Sequence, residues 1–101
     1  MSWIPTDSGK TVGTRGSEEG VIVLDEEHTS GARVTLENGG CTAPWSVTCG
    51  IYGGFLHTAF AASEAEGRAK YSDMKADLEQ IMVEEDSEAR YEKMKRFANV
   101  Y

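Results

Sequence analysis

From Asn38 to Ser63 the chain carries no Asp, Glu, Lys or Arg, although 27% of its 101 residues are charged. Burial has to be organised around that stretch, because charged side chains are almost never fully buried unless paired. It also holds both cysteines, Cys41 and Cys49, together with Trp45 and His57. Its length raises the question of a membrane span. Ser46, Thr48, His57, Thr58 and the acidic flanks Glu37 and Glu64 answer it in the negative.

Gly53-Gly54, near the middle of the run, reads as the two-residue turn of a hairpin. In that register Tyr52 faces Phe55, Ile51 faces Leu56, Cys49 faces Thr58, Val47 faces Phe60 and Trp45 faces Ala62. Directly opposed residues share a sheet face. Trp45, Val47, Cys49, Ile51, Leu56, Thr58, Phe60 and Ala62 then form a core face. Ser46, Thr48, Gly50, Tyr52, Phe55, His57, Ala59 and Ala61 form a second one.

Upstream, Val21-Ile22-Val23-Leu24 is β-rich with both sides apolar, and Asp25-Glu26-Glu27-His28 is expected to carry that strand into solvent. Thr29-Ser30-Gly31 is a turn. Ala32 to Glu37 alternates, placing Ala32, Val34 and Leu36 inward and Arg33, Thr35 and Glu37 outward. Asn38-Gly39 is another turn signal.

Downstream, Ser63-Glu64-Ala65-Glu66 fits a capping box, with Glu66 reaching back to the Ser63 amide. It opens a helix whose Tyr71, Met74, Leu78, Ile81 and Met82 make one stripe. Gly67, a turn before Tyr71, would allow close approach to the sheet. The stripe then meets Glu85, so a second helix is expected, capped by Asp86 or Ser87 and presenting Tyr91, Met94, Phe97, Ala98 and Tyr101.

The fold expected is therefore α+β in two layers: an antiparallel four-stranded meander followed by two C-terminal helices on one sheet face. Residues 1–19 read as a flexible arm that Trp3 and Ile4 could pin. Residues 20–101 read as a single domain, with strands at 20–28, 32–37, 45–52 and 55–62 and helices at 64–84 and 87–99.

A net charge of −7, without a Lys/Arg cluster, speaks against nucleic acid and against an anionic membrane surface. It suits solubility, and it also suits a basic protein partner, as for an inhibitor or immunity-like protein. No apolar leader is visible at the N-terminus, so a cytoplasmic protein with free thiols is expected.

Chemistry finds little support. Ser8-Gly9-Lys10-Thr11 ends like a phosphate-binding loop, but Ile4 stands where that loop needs its first glycine. The two cysteines and two histidines do not have zinc-ligand spacing, so no metal and no cofactor are expected. Cys41, after Asn38-Gly39-Gly40, is the candidate reactive thiol, and it would need His57 or His28 as a base. No catalytic residue is assigned, and the reading points away from an enzyme.

What remains is the second sheet face. An aromatic patch there would be unusual for a monomer. Tyr52, Phe55, His57, Ala59 and Thr48 are therefore the candidate interface residues of a non-catalytic interaction module, with a homodimer as the expected assembly. The alternative is a small-ligand-binding or thiol-dependent protein using a pocket near His57, Tyr52, Phe55 and Cys41.

Overall fold

The computed structural model describes residues 3–101. It is a two-layer α+β structure: an antiparallel sheet of five strands in the order β1-β2-β3-β4-β5, followed by two helices packed on one of its faces. The strands are β1 (Trp3–Pro5), β2 (Val21–His28), β3 (Ala32–Asn38), β4 (Trp45–Ile51) and β5 (Phe55–Ala61). The helices are α1 (Glu64–Val83) and α2 (Ser87–Val100). Strand order follows chain order, as expected when each strand pairs with its sequence neighbour through a short turn.

The fifth strand comes from the segment expected to be an arm. Trp3, Ile4 and Pro5 pair with His28, Glu27 and Glu26. Trp3 is held from three sides: its indole N–H donates to Glu79 (3.2 Å), its ring meets His28 edge-on, and Lys75 lies over it. The acidic end of β2 consequently does not run into solvent. It is enclosed between β1 and β3, and Glu26 accepts from Tyr71 (2.6 Å) and Lys75 (2.9 Å) of α1.

The turn at the tip of β4–β5 differs from the expected one. The Gly54 N–H donates to the Ile51 carbonyl, so Tyr52 and Gly53 are the central residues of the turn. Gly53 takes φ 74°, as the third position of a type II turn requires. The loop therefore has three residues, and Ile51 faces Phe55, Cys49 faces His57, Val47 faces Ala59 and Trp45 faces Ala61. One residue of slip moves every β5 side chain to the opposite face. Leu56, Thr58 and Phe60, expected in the core, stand on the open face; Phe55, His57, Ala59 and Ala61 turn toward the helices.

The core lies between the sheet and α1. Ala32, Val34, Leu36, Val47, Cys49, Ile51 and Ala59 meet Tyr71, Met74, Leu78 and Ile81, with Phe97 of α2 at one end. Each large apolar side chain so enclosed contributes about 1.5–3 kcal/mol. Gly67 lies against Leu36 and Trp45, where an added Cβ would come within 3.3 Å of both.

The Ser63 hydroxyl accepts from the Glu66 amide (3.2 Å) as expected, although the Glu66 carboxylate returns to the Ala62 amide rather than to that of Ser63. Asp86 caps α2 by accepting from the Ala89 amide (2.8 Å). Of the expected α2 stripe only Phe97 is buried, and Tyr91 is largely exposed. Among the described residues, no helix is long and apolar enough to cross a membrane.

Candidate functional site

The face opposite the helices has two unlike halves. Over β2 and β3 it is closed by the chain's own N-terminal segment. Two buried carboxylates hold that closure. Glu37, 1% exposed, accepts from the amides of Glu18 (3.2 Å) and Gly20 (3.1 Å). Gly16 passes so close above it that a side chain there would collide with the Glu37 carboxyl.

Asp25, 3% exposed, accepts from Thr6 (3.0 Å), Thr35 (3.0 Å) and both arms of Arg33 (2.9 and 2.6 Å). Burial pushes the Asp25 carboxyl up, but the Arg33 guanidinium and the hydroxyls of Thr6 and Thr35 outweigh it and hold the group below the ordinary aspartate value. Charge-assisted bonds of this kind are among the stronger polar contacts.

Over β5 and the turn the face is open, although Ser46 of β4, 1% exposed, is covered. Leu56 is 77% exposed, Phe60 39%, and Tyr52 at the turn 68%. Between Leu56 and Phe60 lies Thr58, whose hydroxyl meets that of Thr48 across the pair (3.2 Å). A groove of about 670 Å³ runs between this hairpin and the N-terminal segment. Arg15 and Gly16 form one wall, Tyr52 and Leu56 the other, and Thr35, Thr48 and Gly50 belong to its lining. Its inner charges are engaged, Arg33 with Asp25 and Glu37 with the Glu18 and Gly20 amides, while Arg15 pairs with Glu19 (3.1 Å) at the exposed rim. With Thr35 and Thr48 also bonded, the trough offers a partner chiefly apolar surface.

The expected site residues are divided by the register. Thr48 is on the open face, and Tyr52 is at the exposed tip. Phe55 and His57 lie under α2, their rings edge-on to Phe97 at 5.6 and 6.0 Å, and Ala59 is buried in the core. The expected placement of Phe55, His57 and Ala59 on the second face therefore does not hold, because the turn is centred one residue earlier than Gly53-Gly54. Leu56 and Phe60 take their places. The same FLHTAFA segment fits either register, so composition alone could not choose between them.

Cys41 is exposed in the loop before β4, its amide donating to Glu18 (3.3 Å). It is not brought to His57, whose Nε2 is enclosed without a hydrogen-bond partner, nor to His28. Cys49 is buried, and desolvation pushes its thiol up to about 12, which makes it a core residue rather than a nucleophile. Among the described residues, no three of His, Cys, Asp and Glu gather as a metal-ligand set. A scan against protein-family models finds no match, and comparisons with curated proteins and with solved structures find none either.

Proposed function

We propose that this chain is a non-catalytic interaction module that self-associates through the open half of the sheet face, the β4–β5 hairpin. The observation that carries the reading is the exposure of Leu56, Phe60 and Tyr52 together on an uncharged hairpin. A cluster of large apolar side chains on a free surface is what a binding surface leaves visible when its partner is absent. A second copy is the simplest partner, since two-fold homodimers are the commonest assembly. The acidic remainder of the surface is a separate asset, suited to a basic protein partner.

A small-ligand reading has the volume of the groove in its favour. The groove's buried polar side chains, Glu37 and Thr35, are turned to partners within the chain, so little in its floor is left to orient a ligand. The self-association reading therefore stands ahead of it.

Sedimentation equilibrium tests the proposal. The wild-type chain is expected as a dimer, and Leu56→Glu as a monomer with an unchanged circular dichroism spectrum. Leu56 is so exposed that its replacement removes no core contact. A Leu56→Glu protein that dimerises as tightly as wild type would sink the proposal.

A further inference from the structure

We infer that two copies join edge to edge through β5, antiparallel about Thr58, so that their sheets become one. This rests on the self-association reading and specifies its geometry.

The two edges of the sheet are unlike. β1 is three residues long and ends in Pro5, which has no N–H to donate; short strands and proline are recognised devices for blunting an edge. β5 has neither protection. It runs seven residues as Phe-Leu-His-Thr-Ala-Phe-Ala, with no charge, no proline and an unbroken register against β4. Among the described residues, no strand pairs with its outer side.

In an antiparallel pair, backbone groups point alternately toward and away from the partner strand. The Phe60 carbonyl points away from β4, because it accepts from Lys70 Nζ (2.7 Å). By alternation, the N–H and C=O groups of Leu56 and Thr58 point outward as well. Their side chains are those on the open face. Leu56 and Thr58 thus present backbone at the edge, Lys70 holds only the Phe60 carbonyl, and the apolar side chains of Leu56 and Phe60 lie beside that row, the arrangement that strand addition uses.

Two observations select a second copy as the occupant. The row is self-complementary. With Thr58 opposite Thr58 of the other copy, Leu56 falls opposite Phe60 on both sides of the two-fold axis, and each apolar residue meets one. The Phe60 carbonyl has two lone pairs, so a Leu56 amide can join Lys70 there. The charge distribution points the same way. A chain of net charge −7 repels its own copies over most of its surface, yet no Asp, Glu, Lys or Arg occurs between Asn38 and Ser63. Pairing at β5 brings together strands that carry no charge at all.

Amide hydrogen exchange by NMR, combined with sedimentation, tests the geometry. In the wild-type dimer the outward amide of Thr58 is expected to exchange at least tenfold more slowly than in the Leu56→Glu monomer, while Ala59, bonded inward, changes little. Thr58→Pro removes an outward N–H, a substitution an edge strand tolerates, together with the hydroxyl that meets Thr48, and is expected to be monomeric. A wild-type dimer with a rapidly exchanging Thr58 amide would overturn edge pairing while leaving self-association intact. So would a folded Thr58→Pro protein that dimerises normally. If Thr58→Pro fails to fold, exchange at the wild-type Thr58 amide decides alone. A wild-type chain that is monomeric up to about 100 µM overturns both proposals.

Discussion

Asp25 shows what a single residue does in this molecule. Its side chain is fully enclosed while its partner Arg33 keeps 39% of its own exposed. Removing one member of a buried pair normally costs about 3–5 kcal/mol, and Arg33's access to water places Asp25→Ala at about 3 kcal/mol by urea unfolding. Asp25 and Glu26 are both held below their ordinary values in the folded chain. For Glu26, burial raises the carboxyl, and the Tyr71 hydroxyl and Lys75 more than reverse it. A depressed carboxylate stabilises the fold at pH above its unfolded value. That contribution is lost as pH falls through the lower folded value. Stability should therefore be flat in this respect near neutrality and decline below about pH 4, and Asp25→Asn should show a shallower acid decline than wild type. An identical acid limb in both proteins would remove Asp25 from the account. None of this was legible in the sequence, where Asp25 reads as the start of a solvated strand end. Its role depends on Thr6 and β1, which only the folded chain brings to it.

Among the elements, those specified by local chemistry could be read and those specified by tertiary packing could not. Ser63 and Asp86 announce their helices because a cap and its amide are three residues apart. The Thr29-Ser30-Gly31 turn and the inward set Ala32, Val34 and Leu36 follow from alternation and a short loop. The β4–β5 register depended instead on which two of Tyr52, Gly53 and Gly54 form the centre of the turn. That choice inverts β5 and with it most of the candidate site. β1 is too short, and contains a proline, so its strand character comes only from pairing with β2. The segment from Arg15 to Gly20 is an element of the same dependent kind, fixed by the Glu37 carboxylate beneath it. Gly16→Ala should force that carboxylate and the segment apart. Protection at the Glu18 and Gly20 amides should fall, with a loss of about 1–3 kcal/mol for the buried group left unsatisfied. Unchanged exchange at both amides would show that the segment is held by something else.

At the scale of the molecule, the helices stabilise one side of the sheet and the N-terminal segment half of the other. That leaves β4–β5 as the least covered part of the structure. If self-association uses that part, it is linked to folding. The thermal midpoint of the wild type should then rise with protein concentration, while that of Leu56→Glu stays constant. Equal, concentration-independent midpoints would contradict the linkage. The two-layer plan was legible because strands and helices follow one another in sequence; the surface left bare was not, because it depends on the register of one strand. The inequality of the two sheet edges also sets the stoichiometry of any ladder built on this chain. A strand added at β5 finds, at the far side, three residues ending in Pro5. If copies pair at β5, growth by strand addition would end with two subunits, and a sheet with an uncharged margin would be kept from becoming a fibre.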